Sequence, residues 1–258
     1  MKTNYHTHTF LCKHADGDAK DYLLEAIKKN MSIVGFSDHA PYPDNRYGLR
    51  MDFNELEGYI NNIENLKKQY KDKITIKCGL EIEYDPSQKQ YYEQLLNKYN
   101  LDYLVLGQHI YIDENNKTIN SYALKNTTQY LQYGKTVIEG MKTGYFKFLA
   151  HPDVIFINDL PWDDNCDKFC KLIIDECKKN DFILEFNANG LRRGKQSFCD
   201  GYRYAYPHKK FWDEVSKENI KVIINSDCHS PSQIWDKYMD EAYEIAKYWE
   251  LNVINKIF

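Results

Sequence analysis

The chain has 258 residues, 28% of them charged and 43% hydrophobic, with a formal net charge of -4. This is ordinary globular composition, long enough for one large α/β domain or two small ones. Charge is mixed throughout, which argues against a nucleic-acid or anionic-membrane surface as the main partner, and no apolar stretch approaches the roughly 20 residues of a membrane span.

Short β-branched and aromatic runs alternate with stretches of helical periodicity. Strand one is predicted near 3–8, then a helix near 18–30 with Asp18 as its N-cap. Strand two near 32–38 leads into a loop holding Pro41, Pro43 and Gly48. A helix near 53–70 carries Leu56, Tyr59, Ile60, Ile63 and Leu66 on one face, and strand three follows near 74–83. Asp85-Pro86 opens the next helix, and strand four lies near 102–109. After a polar turn at 113–117 come a helix near 126–143, strand five near 146–150, a helix near 164–180 and strand six near 182–187. An irregular loop is expected over 189–206, then a helix near 208–219, strand seven near 221–226 and a last helix near 236–249.

Seven βα units in unbroken alternation predict a parallel sheet closed into a barrel, with an open doubly wound sheet as the alternative. The barrel is favoured because nearly every strand ends in a site-type residue. An open sheet gathers ligands only at its switch point, whereas a barrel brings all strand C-termini to one face. No linker divides the chain, so residues 1–258 are read as one domain.

His6 and His8 are two apart on strand one and point to one face. Asp38-His39 ends strand two, a helix cap plus a satisfied histidine being the alternative to a ligand there. Glu81 and Glu83 share a face of strand three, and spacing does not choose between them. His109 follows Gly107-Gln108, His151 precedes Pro152, and Asp227 and His229 repeat the two-apart spacing with Cys228 turned away. Seven of eight histidines stand at or just beyond predicted strand ends; only His208 starts a helix. Imidazole with carboxylate at one end of a barrel is the composition of a site for divalent ions.

The seven cysteines, at 12, 78, 166, 170, 177, 199 and 228, show no framework spacing and suit free thiols in a reducing cytosol. No apolar h-region opens the chain, so no secretory signal is expected. Lys67-Lys68 and Lys178-Lys179 read as solvated helix faces.

His6-x-His8, His14, Ser37-Asp38-His39, Gly79-Leu80-Glu81, Gly107-Gln108-His109, Ala150-His151-Pro152 and Ser226-Asp227-x-His229 together resemble the polymerase and histidinol phosphatase (PHP) superfamily. Motif order is preserved over nearly the whole chain. The length and the segment Asn187-Ala188-Asn189-Gly190-Leu191-Arg192-Arg193 before Tyr206-Pro207 resemble its stand-alone histidinol-phosphate phosphatases. The resemblance implies an α/β fold of the distorted (β/α)7, TIM-like barrel type. It implies three divalent transition-metal ions (Zn, Fe or Mn). His6, His8, Glu81 and Asp227 would hold the first, His14, His39 and His229 the second, and His109 and His151 the third, with Glu81 bridging.

The implied reaction is hydrolysis of a phosphate monoester, L-histidinol phosphate above others. Metal ions lower the pKa of a bound water and offset phosphoryl charge. Glu81 and Asp227 then belong to the catalytic set. Arg192 and Arg193 follow strand six, and Arg192 is preferred as the phosphate fork. His208 and Ser230 are further phosphate candidates, and Asp153 could protonate the leaving alkoxide unless it caps a helix. Tyr84, Tyr111 and Phe156 could stack on the substrate ring. The expected partner is a small-molecule phosphate ester in the cytoplasm, without nucleic acid or membrane. The alternatives are a phosphotyrosine-protein phosphatase, a nucleotide phosphoesterase, or a metal-binding module without turnover.

Overall fold

In the computed structural model, which describes residues 1–258, the first half of the chain runs β1 (Thr3–Asn4), α1 (Ala19–Lys28), β2 (Ile33–Phe36), α2 (Leu56–Tyr70), β3 (Thr75–Ile82), α3 (Lys89–Glu93), β4 (Tyr103–Leu106), β5 (Ile110–Ile112), β6 (Thr118–Asn120) and α4 (Thr128–Lys142). The second half runs β7 (Phe146–Leu149), α5 (Asp164–Asn180), β8 (Ile183–Asn187), α6 (Ala188–Arg192), β9 (Lys195–Phe198), β10 (Gly201–Tyr204), α7 (Lys209–Lys217), β11 (Lys221–Asn225), α8 (Lys237–Tyr248) and β12 (Asn252–Ile254). Eight strands pair in parallel in the order β1-β2-β3-β4-β7-β8-β11-β12. The seven expected strands are all present, and they curl into a distorted TIM-like barrel.

The distortion has a local cause. β1 is two residues long, so the seam between it and β11 cannot form a full ladder. A single parallel bridge joins Thr7 to Cys228, with the His8 amide donating to Cys228 O at 3.1 Å. Below it, asparagine side chains stand in for missing backbone partners. Asn225 Oδ1 accepts from the Tyr5 amide and Asn4 Oδ1 from the Ser226 amide, both at 2.8 Å. A further strand, β12, outside the seven expected, takes the edge of β11 away from β8 through Lys221–Ile223.

Alternation along the strands sorts side chains between two cores. Outward residues such as Leu104, Leu106, Leu149, Val222 and Ile224 join the large core under the helices. Inward residues Tyr5, Tyr103, Val105, Phe148, Ala150 and Ile223 form a small apolar plug. Gly79 admits the Tyr103 ring, which a Cβ there would strike. Toward the strand C-termini the inward positions become polar: Glu81 on β3, Glu185 and Asn187 on β8, Asn225 on β11. All four are buried.

Acidic caps start three of the helices near their expected positions. Asp18 caps α1 in a reciprocal box with Asp21, and Asp163 and Asp236 cap α5 and α8. The segment after Asp85 is a 3-10 turn, the short α3 and a π turn rather than one regular helix. Two hairpins, β5–β6 and β9–β10, occupy regions read as turn and loop. No helix is long and apolar enough to cross a membrane. All seven cysteines are free, and only Cys199 is exposed.

Candidate metal centre

Six imidazoles meet in three facing pairs at the C-terminal rim. His6 Nε2 and His8 Nε2 lie 3.0 Å apart, His14 Nε2 and His229 Nε2 3.0 Å, and His109 Nε2 and His151 Nε2 3.2 Å. Two imidazole nitrogens on one tetrahedral ion, each bonded at about 2.0–2.1 Å, sit roughly 3.3 Å apart. Each pair thus has close to the spacing of two ligands on a shared ion.

Glu81 stands among them. Its Oε1 is 3.1 Å from His151 Nε2 and 3.4 Å from His109 Nε2. Its Oε2 is 3.0 Å from His39 Nδ1, 3.3 Å from His6 Nε2 and 3.5 Å from His8 Nε2. That Oε2 is buried and has no hydrogen-bond partner. Asp227 Oδ1 approaches His8 Nε2 at 3.1 Å and His6 Nε2 at 3.6 Å. The sets His6–His8–Glu81, His14–His39–His229 and His39–Glu81–His109 each have ligand atoms within 4.8 Å of one another.

The donor set fits divalent ions. Burial works to raise the Glu81 pKa, but His109, His6 and His39 outweigh it and hold the carboxyl well below the usual range. Asp227 behaves likewise, burial being outweighed by His6 and His8. Burial, with help from His8, pushes His39 well down and His229 down to about 3. Deprotonated acids and neutral imidazoles are the ligand forms; against burial, the surrounding acids hold His6 well up and His8 up to about 9, so these rings would release protons when an ion binds. Cys12 also lies near His8 and His229, but burial pushes its thiol up to about 12, so its thiolate is disfavoured.

Close packing shapes this cluster. Gly107 exists for Glu81: a Cβ there would fall inside the Glu81 carboxylate. Glu83 takes the role spacing could not assign. Arg50 clamps it at 3.0 and 3.1 Å, Tyr42 donates to it at 3.2 Å, and its Oε1 faces His109 Nδ1 at 3.5 Å. Burial works to raise the Glu83 pKa, yet Arg50 and His109 pull it down to about 2. Asp38 accepts from the amides of Thr9 and His39, both at 2.9 Å, so it braces the loop rather than capping a helix. Asn187 and Asn189 donate to Asp227 Oδ2 at 3.1 and 3.3 Å.

A cavity of about 490 Å³ opens over the cluster, with Leu49, Arg50, Ile110, Tyr122, Arg193 and Tyr206 among its walls. The preference for Arg192 is reversed here. α6 turns Arg192 under the rim, where it donates to Ser226 O, to Gln233 O at 2.9 Å and to Asp236 at 2.8 and 3.1 Å. Arg193 lines the cavity instead, its guanidinium 5.9 Å from the Tyr206 ring.

Asp153 is buried, is not among the cavity walls, and accepts from the His208 amide at 2.6 Å and Trp212 Nε1 at 2.9 Å. His208 is sandwiched between Phe156 and Trp162 and donates to Asp200 at 2.9 Å, away from the cavity. Ser230 precedes the 3-10 turn Pro231–Gln233 and is not a wall residue. Tyr84, Tyr111 and Phe156 pack elsewhere; Tyr122 and Tyr206 are the aromatics that face the cavity. Glu185, not among the expected site residues, lies fully buried behind His6 and His151. A charge in the middle of a barrel strand was its signal, since such strands are buried on both faces.

A parallel α/β barrel with histidine pairs and shared carboxylates on its C-terminal rim defines a barrel protein built to hold a cluster of metal ions. The PHP domain model matches residues 4–189, and the chain belongs to that family. Among curated proteins it is similar to a probable histidinol-phosphatase of Deinococcus radiodurans, 24% identical over 93% of this chain and 91% of that one. It is similar to the histidinol-phosphatase of Bacillus subtilis, 25% identical over 92% of this chain and 97% of that one. Among solved structures it resembles the histidinol phosphate phosphatase of Lactococcus lactis, crystallised with zinc, L-histidinol and phosphate. That match has a TM-score of 0.71 at 17% identity, covers 98% of this chain and 95% of the other, and speaks for the fold.

Proposed function

We propose that this chain is a metal-dependent phosphomonoesterase that hydrolyses L-histidinol phosphate to L-histidinol and phosphate. The observation that carries the reading is the three facing imidazole pairs around Glu81, under a single cavity. Relatives named histidinol-phosphatase, matched over nearly their full length, supply the substrate. His6, His8, Glu81 and Asp227 would hold one ion, His14, His39 and His229 a second, and His109 and His151 with Glu81 a third. Divalent ions there would activate water and offset charge on the phosphoryl oxygens.

The chain's own residues do the rest. Arg193 presents a guanidinium fork for the phosphate. Tyr122 offers a face to the substrate's imidazole, while the buried Tyr206 backs the Arg193 guanidinium. The domain extends past residue 189, because Asp227 and His229 complete the cluster and β11 closes the barrel. Seven free thiols, six of them not exposed, suit the reducing cytoplasm.

A substrate panel tests the reading. Phosphate release from histidinol phosphate should greatly exceed release from phosphotyrosine and mononucleotides. The reverse ranking would favour a protein-tyrosine or nucleotide phosphatase on the same metal centre.

A further inference from the structure

A carboxylate sealed inside a barrel is costly unless its oxygens are met. Glu185 is fully buried, and no lysine or arginine pairs with it. Four donors meet it instead. Oε1 accepts from His6 Nδ1 at 2.8 Å and Asn225 Nδ2 at 3.0 Å. Oε2 accepts from the His151 amide at 3.0 Å and Asn187 Nδ2 at 2.7 Å. His6 and His151 belong to different imidazole pairs and come from opposite parts of the chain.

We propose that Glu185 is a positioning residue that prepares two of the three ion positions at once. The inference rests on the metal reading above. For His6 the device is the tautomer. An acceptor at Nδ1 fixes the proton there and leaves the Nε2 lone pair to face His8 and Glu81. For His151 the device is the backbone. Its φ of +29° is a conformation that non-glycine residues rarely adopt. The hydrogen bond from its amide to Glu185 holds that turn and aims Nε2 at His109. The remaining group is independent of Glu185. There His14 Nδ1 is 2.7 Å from Cys12 O and His229 Nδ1 is 3.2 Å from Asp227 O, so backbone carbonyls serve the same purpose.

The test is stepwise metal release from zinc-loaded Glu185→Gln protein into a chromogenic chelator, alongside the thermal midpoint of the metal-free form. Glutamine fills the same space but keeps only one acceptor oxygen. Two equivalents should leave about 10- to 100-fold more readily than in the wild type, with the third unchanged. Equal weakening of all three, or of none, overturns the role. So does a selective loss that merely tracks a collapsed midpoint of the metal-free form. Should the variant not fold, the side-chain nitrogen spectrum of zinc-loaded wild type decides. His6 must show a protonated Nδ1 and a metal-bound Nε2; the opposite tautomer overturns the proposal. A wild type that takes up no zinc at all overturns the metal reading itself and this inference with it.

Discussion

Arg193 reaches the cavity while its neighbour is tied beneath the rim. Arg193→Ala would remove the charge-assisted phosphate contact proposed for it, worth about 1.5–3 kcal/mol, and should lower kcat/KM by roughly 10- to 100-fold. Arg192→Ala instead strands the carbonyls of Ser226 and Gln233 and the carboxylate of Asp236. It should cost about 2–4 kcal/mol of stability in denaturant unfolding and change kcat/KM of the folded enzyme less. Equal kinetic losses in the two variants would contradict this division. Gly107 gives a second test. An alanine methyl there would occupy the space of the Glu81 carboxylate. Gly107→Ala should therefore cost an ion and at least about 100-fold in kcat/KM, with far-UV circular dichroism unchanged; elemental analysis and rates check both. The sequence announced a small residue before His109 but not its purpose. Glycine spacing says that something approaches, and only the packed barrel says that the visitor is Glu81 from the next strand.

At the level of elements, the start of α7 couples two buried titratable groups. His208 has a buried Nδ1 without an acceptor, which suits a neutral ring, and burial pushes its pKa down to about 4. Its neutral form stabilises the fold fully above pH 6.5, and that stability is lost as pH falls toward 4. Asp153, which accepts from the His208 amide, is pushed up to about 6 by burial. Its protonated form stabilises below its ordinary value near 3.8, and that stability is lost as pH rises through 6. The two slopes oppose each other, each worth about 3 kcal/mol. Asp153→Asn should uncover the histidine, giving stability that drops by that amount relative to wild type between pH 7 and 4. Urea unfolding across that range reads it, and parallel curves for variant and wild type would refute the assignment. The long helices and seven inner strands were legible because each helix carries a buried stripe and each strand a buried run, with aspartate caps marking the starts of α1, α5 and α8. The hairpins β5–β6 and β9–β10 were not, because strands such as Lys195–Phe198 are largely exposed and lack an apolar face. β12 was missed because three half-buried residues make no period.

Across the whole molecule, closure converts a dispersed set of motifs into one site. The Thr7–Cys228 bridge brings β1 beside β11, so His6 and His8 meet Asp227 and His229 although more than two hundred residues separate them. That convergence was readable from strand ends once a barrel was assumed. The fate of residues just beyond them was not: Arg192, Asp153 and His208 share composition with site residues but are turned inward by α6, the 3-10 turn Val154–Asn158 and α7. Anomalous-difference maps from crystals of the zinc-loaded protein test the central claim most directly. Three peaks are expected, one at each facing imidazole pair, with zinc–nitrogen distances of about 2.0–2.1 Å. Peaks absent from the rim, or histidine pairs that part without sharing an ion, would contradict it.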